Sequence, residues 1–346
     1  MAQPLSRRNF LKGSIIIAAG AIGSYALAGC TGAGNASTNG ASGGTGAAGG
    51  SSKVTLHRGY VVAHGDKCFT QVVVAVDEEG IIRGVDVDDY QFMSASTQGL
   101  VPVPNSDSDF SAGIVEGYQL ASKKDNNDVY SAMMAEKAGS TVKWADSMAA
   151  IEEYAVGKKP DELKSAGLDT VSGATLVDAP NYLAGIAEVA ENDAIASEGT
   201  FDPSSGEVAL GRVNASCHGT KAFGNAVSLV QGNAIIAASI DEFQFVAVGD
   251  NVVSVPNSDA AFGTDYYVAG QTLTSKSANN EAYSAMLAEK AGSTTPWLTS
   301  IEAIEGALAG QKTSDVSIDG PDAVSGATLV DTANYAKAAI AAAKAV

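Results

Sequence analysis

The residues that offer the clearest chemistry are two threonines, each at the end of the same short motif. The motif reads Asp-x-x-Ser-Gly-Ala-Thr, and it ends at Thr175 in one copy and at Thr328 in the other. A threonine hydroxyl is a weak nucleophile and needs a separate catalyst to activate it. The glycine and alanine before it carry little bulk and let another molecule approach the backbone. The plain alternative is a tight Ser-Gly turn ahead of a capped helix.

The motif occurs twice because a large part of the chain is repeated. Residues 130–141 recur with one change as residues 283–294, and residues 171–178 recur without change as residues 324–331. The copies lie at an almost constant spacing, which is far too long for a solenoid repeat and is typical of tandem domains.

Two homologous domains are therefore predicted, at residues 53–195 and 207–346. Residues 196–206 between them are rich in loop-forming residues and predict a linker.

Strand patterns come first in each domain and helix patterns follow. Valine-rich or alanine-rich runs on either side of a turn predict one β-hairpin in each domain, at residues 69–76 with 81–87 and at residues 226–230 with 234–240. A helix is predicted after each hairpin, and Gly139 or Gly292 should end it. A second helix follows each tryptophan, with an apolar stripe at Met148, Ile151 and Ala155 and at Ile301, Ile304 and Leu308. This order predicts an α+β fold in which each domain is an antiparallel sheet with helices packed on one side.

The N-terminal region reads as an export signal. Arg7 and Arg8 precede a mostly apolar run at residues 14–29, and Leu27-Ala28-Gly29-Cys30 follows the lipobox pattern. Residues 1–29 resemble a twin-arginine lipoprotein signal peptide. Cys30 is then the predicted lipidation site, which places the protein at the membrane and outside the cytoplasm. The remainder of residues 30–52 is a flexible linker of small residues. An ordinary signal anchor is the alternative.

The net charge and the small numbers of cysteines and histidines argue against a nucleic-acid-binding or metal-binding protein. The formal net charge of -18 repels phosphate backbones, so no nucleic-acid partner is expected. Cys68 and Cys217 match no zinc or haem spacing and are expected to be buried thiols, although a bridge between them stays open. With three histidines in the chain, no metal site is expected.

The duplicated motif resembles the FMN-binding domain family, and the export signal and lipobox are similar to those of its extracellular electron-transfer lipoproteins. In that family a flavin transferase uses FAD to esterify the last threonine of the motif with FMN phosphate. The resemblance implies that Thr175 and Thr328 each hold a covalent FMN. The other motif positions that it marks as cofactor-binding are Asp169, Ser172, Gly173, Ala174 and Leu176 in the first copy and Asp322, Ser325, Gly326, Ala327 and Leu329 in the second.

The resemblance further implies an electron carrier without catalytic residues of its own, because the flavin does the redox chemistry. A membrane quinol or flavin dehydrogenase would donate electrons, and an extracellular acceptor or a reductase would take them. Two alternatives remain: the flavin subunit of a specific exported reductase, or a redox-silent surface binding module.

Residues around the motif are expected to support the cofactor. Asp178 and Asp331 are N-cap candidates for a following helix, whose free N–H groups and dipole would favour a phosphodiester. Aromatic side chains could stack on the flavin ring or form the core. The paired candidates are Tyr90 with Phe243, Phe92 with Phe245, Tyr130 with Tyr283, Trp144 with Trp297, and Tyr182 with Tyr335. Asn105 and Asn257 could contact polar ring atoms or shape their loops.

Overall fold

A five-stranded antiparallel sheet lies in the N-terminal part of the folded chain. The structure is a computed structural model, and it describes residues 50–167, 171–316 and 324–346. The strands are β1 (Ser52–Val61), β2 (Cys68–Asp77), β3 (Ile82–Ser94), β4 (Tyr118–Ser122) and β5 (Ala196–Phe201). Their order across the sheet is β4-β3-β2-β1-β5. The predicted first hairpin is confirmed as β2 and β3.

A second, four-stranded antiparallel sheet follows. Its strands are β6 (Ala209–Ala215), β7 (Ala222–Gln231), β8 (Ala234–Ala247) and β9 (Gln271–Ser275), in that spatial order. The predicted second hairpin is confirmed as β7 and β8.

Three helices recur in the same order in the two parts of the chain, and two short ones do not. They are α1 (Asn127–Ala138), α2 (Trp144–Ala155), α3 (Pro160–Lys164), α4 (Ala179–Ala190), α5 (Ala261–Thr264), α6 (Asn280–Ala291), α7 (Trp297–Leu308) and α8 (Thr332–Ala343). Gly139 and Gly292 end α1 and α6 in the left-handed conformation, as predicted. Both predicted apolar stripes are buried, on α2 and on α7. The described chain is therefore a mixed α and β structure with two antiparallel sheets.

The two sheets face each other, and the helices cover their outer faces. Helices α2 and α4 pack on the first sheet around Val72, Val74 and Val87. Helices α7 and α8 pack on the second sheet in the same way. The inner faces enclose an aromatic cluster in which the Phe69 ring stacks on Tyr90 at 5.1 Å between centroids. The order of layers is thus helices, sheet, sheet, helices.

The linker predicted at residues 196–206 is wrong for its first six residues, which form β5 and pair with β1. Gly199 looked like a loop former, but it allows a close backbone approach. A Cβ at that position would lie 2.1 Å from the carbonyl oxygen of Ile236 in β8. Of the other predicted linker, residues 30–52, the part up to residue 49 lies outside the described residues, and Ser52 belongs to β1.

Several sequence predictions fall outside the described residues. They are the signal peptide at residues 1–29, the lipidation site Cys30, and the motif residues Asp169 and Asp322. Within the described residues, none of the helices has both the length and the apolar character needed to cross a membrane.

Candidate functional site

The two threonines lie in loops of the same shape. These motif loops, residues 171–178 and 324–331, lead into α4 and α8. In the first loop Val171 is buried and Leu176 packs against the core, while Thr175 is exposed. The second loop repeats this alternation, with Thr328 exposed. Each loop is therefore anchored by its apolar residues and presents its threonine to solvent.

The glycine of each motif is required by the backbone. Gly173 and Gly326 both have a φ of 92°, a conformation that residues with a Cβ rarely adopt. Each glycine also lies against a small residue of the neighbouring helix. A Cβ on Gly173 would be 3.6 Å from Ala150, and one on Gly326 would be 3.3 Å from Ala303.

A buried serine holds each threonine in place. The backbone N–H of Thr175 donates to Ser147 Oγ at 3.2 Å, and the two hydroxyl oxygens are also 3.2 Å apart. In the second loop the N–H of Thr328 donates to Ser300 Oγ at 3.2 Å, with the hydroxyls 3.4 Å apart. Neither serine was predicted from the sequence, although both occupy the same place in the repeat.

Asp178 and Asp331 occupy the N-cap positions of α4 and α8, as predicted, but neither side chain caps its helix. Each carboxylate faces a histidine instead. His64 Nδ1 lies 2.8 Å from Asp178 Oδ2, and His218 Nδ1 lies 2.5 Å from Asp331 Oδ2. The sequence signal that could have indicated these contacts is a duplicated His-Gly pair, His64-Gly65 and His218-Gly219.

The expected free N–H groups at the start of α4 are not found. The N–H of Ala179 donates to the Leu176 carbonyl, that of Asn181 donates to the Asp178 carbonyl, and Pro180 has none. This part of the prediction is wrong for α4, because the chain enters that helix through tight turns that use these donors locally.

Most of the paired aromatic residues belong to the core. Tyr90, Phe92 and Phe243 are buried between the two sheets. A buried ring cannot offer a face to a flavin without moving, so the core alternative holds for these residues. Trp144, Tyr182, Trp297 and Tyr335 are likewise buried, under the helices.

A buried ion pair lies beneath the helices of the first half (residues 53–195). Lys123 Nζ is 2.9 Å from Asp89 Oδ2, and Tyr182 donates its hydroxyl to the same oxygen at 2.5 Å. Burial alone would lower the pKa of Lys123, but the Asp89 carboxylate, together with Cys68 and Tyr130, raises that pKa above its usual value. The ammonium also lies 4.5 Å from the centre of the Tyr130 ring. The lysine therefore stays charged inside the protein.

The second half (residues 207–346) repeats this ion pair with Lys276, Glu242 and Tyr335. Burial raises the pKa of the Tyr335 hydroxyl, and the Glu242 carboxylate raises it further. The duplicated tyrosines thus serve as neutral hydrogen-bond donors to buried carboxylates.

One charged cluster is not repeated. In the first half Lys124 Nζ bonds Asp86 at 2.6 Å and Glu152 at 2.7 Å. The equivalent positions of the repeat hold Ser239, Ser277 and Glu305. Burial raises the pKa of Glu305 to about 8, even though it accepts the Ile240 N–H at 2.7 Å. Glu305 is therefore largely protonated at neutral pH.

Asn105 and Asn257 shape loops that cross between the halves. Both have a left-handed φ of 65°. Asn105 Nδ2 donates to the carbonyl of Gly219 at 3.0 Å, and Asn257 Nδ2 donates to that of Gly65 at 2.9 Å. Their amide donors are thus occupied by backbone, which supports the loop-shaping alternative over a flavin contact.

The two cysteines within the described residues, Cys68 and Cys217, are buried and are not bonded to each other, as expected. Burial raises the pKa of both thiols, so neither is reactive at neutral pH.

Comparison of the chain with protein-family models, with curated proteins and with solved structures finds no match.

Proposed function

We propose that this chain is an exported, membrane-anchored electron carrier that holds two covalent FMN groups, one esterified to Thr175 and one to Thr328. Its two homologous halves would each form one flavin domain. A lipid on Cys30 would tether both to the membrane.

The observation that supports the proposal most directly is the identical presentation of the two threonines. Each threonine is exposed, and each backbone N–H is fixed by a buried serine of the neighbouring helix. A tight turn needs the glycine, but it does not need an exposed threonine at the same place twice. A transferase does need an accessible hydroxyl on a rigid loop, because the rate of attack depends on how well that hydroxyl is positioned.

The surroundings of the threonines also fit a flavin. Val177 and Val330 follow the threonines by two residues and are 78% and 75% exposed. An exposed apolar side chain beside each attachment point suits a large planar ring. FMN, once attached, would supply the redox chemistry, and the chain would supply its location. The exposed position of both loops would let a donor and an acceptor reach the cofactors.

The proposed partners are a flavin transferase, a membrane quinol or flavin dehydrogenase as electron donor, and an extracellular acceptor or a reductase. Covalent attachment suits an exported carrier, because a free cofactor would diffuse away.

Coexpression with a flavin transferase tests the proposal. We expect the denatured chain to fluoresce in a gel and to carry two FMN adducts by intact mass. Thr175→Val and Thr328→Val should each remove one adduct, and the double variant should remove both. Thr141 and Thr294 are exposed threonines that are also duplicated, so Thr141→Val with Thr294→Val is a matched control that should keep both adducts. Label that persists in the Thr175→Val, Thr328→Val double variant would show that the acceptors are wrong.

A further inference from the structure

We propose that Ser147 and Ser300 are positioning residues for flavin attachment, each orienting the hydroxyl of its own threonine. This inference rests on the proposed function, since it concerns the reaction at Thr175 and Thr328.

The geometry gives each serine two contacts to one threonine. Ser147 Oγ accepts the N–H of Thr175 and also touches its Oγ1, both at 3.2 Å. Because the backbone nitrogen and the side-chain oxygen of Thr175 meet the same atom, the threonine backbone is fixed and its side-chain rotamer is restricted. The second half repeats the arrangement with Ser300.

The position of Ser147 on its helix argues for this role. It is fully buried on α2, on the same face as the apolar side chains of Met148 and Ile151. A hydroxyl in such a place is unfavourable unless it is hydrogen-bonded. Among the described residues, both side-chain hydrogen-bond partners of Ser147 belong to Thr175. Ser300 has the same environment on α7. An alanine would suit the packing of this face, so the hydroxyl serves the threonine.

The helix also brings the loop close enough for this contact. Ala150 follows Ser147 by three residues and therefore lies on the same side of α2. Gly173 packs against it, and Gly326 packs against the equivalent Ala303 of α7. These contacts together fix the distance between each threonine and its helix, through the serine, the alanine and the motif glycine.

In the attachment step, a bond forms between the threonine Oγ1 and the FMN phosphorus of FAD. The diphosphate P–O bond breaks, AMP leaves, and a base of the transferase takes the threonine proton. Ser147 does not exchange a proton in this step. Since its oxygen accepts the Thr175 N–H, its own hydrogen can point at Oγ1 and direct the remaining lone pair outward. It can go on donating to the same oxygen in the ester.

The test measures the attachment rate at each threonine separately. Purified flavin-free Ser147→Ala protein is incubated with transferase and FAD, and peptides containing Thr175 and Thr328 are quantified by mass over time. We expect a rate at Thr175 at least about tenfold lower, with an unchanged rate at Thr328 in the same molecules. Ser300→Ala should show the reverse. The loss should appear in the kcat of the transferase for the affected site rather than in KM, since the loop still offers the same surface.

A structural control separates positioning from stability. Ile151→Val lies on the same helix one turn from Ser147 and leaves a small cavity. It should lower the unfolding temperature without changing the rate at Thr175. If Ser147→Ala reacts at the wild-type rate, or slows both sites equally, the positioning role is overturned while the carrier function stands. If the wild-type chain gains no flavin at either threonine, the proposed function itself fails.

Discussion

Asn105 and Ala222 are joined by a hydrogen bond of 2.6 Å that crosses from the first half of the chain to the second. The reciprocal bond, from Asn257 to the carbonyl of Cys68, has the same length of 2.6 Å. Each asparagine is in the left-handed conformation, which asparagine tolerates better than most residues. The same type of hydrogen bond is therefore made twice between the two halves, once in each direction.

The second half should not fold alone, although its sequence looks like a complete domain. A fragment of residues 207–346 would expose the aromatic inner face of its sheet, including Phe223 and Phe243. It would also leave Asn257 without its carbonyl partners. We expect little near-ultraviolet circular dichroism and strong binding of a hydrophobic dye, whereas residues 50–346 should unfold cooperatively. A fragment with a sharp unfolding transition would contradict this interdependence.

Replacing either motif glycine should damage its own site. Gly173→Ala and Gly326→Ala place a Cβ at a φ of 92°, which costs about 1–3 kcal/mol of stability. We expect flavin to be lost mainly at the threonine of the altered loop, and denaturant unfolding with site-resolved mass would measure both effects. Gly326→Ala should be the more severe change, because its Cβ would lie closer to a neighbour.

Gly306→Ala is the matched control for these glycine variants. Gly306 lies within α7, and a Cβ there would meet nothing within 4 Å. Alanine should therefore stabilise the helix by up to about 1 kcal/mol and leave both adducts in place. A loss of flavin in this variant would show that helix stability, and not loop geometry, limits attachment.

Glu305 should make the protein less stable at alkaline pH. Its folded pKa of about 8 lies above the usual 4.5, so the folded state keeps a proton that the unfolded state releases. Its stabilising contribution is complete below the unfolded pKa and is lost as the pH rises to about 8. Glu305→Gln should remove this slope and be more stable at pH 8 by a few kcal/mol, roughly 2–4, as measured by urea unfolding across pH.

Glu152→Gln is the comparison for the pH experiment, because Glu152 bonds Lys124 at 2.7 Å. Burial raises the pKa of Glu152 as well, but the Lys124 ammonium opposes this rise. Removing the Glu152 carboxylate also takes a charged partner from the buried lysine, so Glu152→Gln should gain less stability at pH 8 than Glu305→Gln. Equal changes in stability at pH 8 for Glu305→Gln and Glu152→Gln would contradict the proposed difference between the two buried glutamates.

The lipid anchor can be tested independently of the flavins. Cys30→Ala removes the thiol that the lipobox pattern predicts to be lipidated, so we expect the chain to move from the membrane fraction to the soluble fraction. Fractionation and immunoblotting would measure this, with Cys68→Ala, which alters a buried thiol, as the control. Continued membrane association of the Cys30→Ala protein would point to a second anchor.

The sequence by itself determined the local structure and the candidate site. The turn at Gly80 between β2 and β3, the glycines that end α1 and α6, and the buried stripe of α2 all follow from short-range patterns. Local patterns predict such elements because capping, turn chemistry and burial periodicity act within a few residues. The duplicated motif likewise identified Thr175 and Thr328.

The tertiary structure decided which residues meet across long separations. The contact of Ser147 with Thr175, the pairing of His64 with Asp178 and the use of residues 196–201 as β5 each join residues distant in the chain. So does the face-to-face packing of the two sheets. Such contacts depend on the whole core closing around them, and nothing in the neighbouring residues of the chain encodes the partner. For that reason the sequence indicated a loop at Gly199, and only the tertiary structure showed that Gly199 packs against β8.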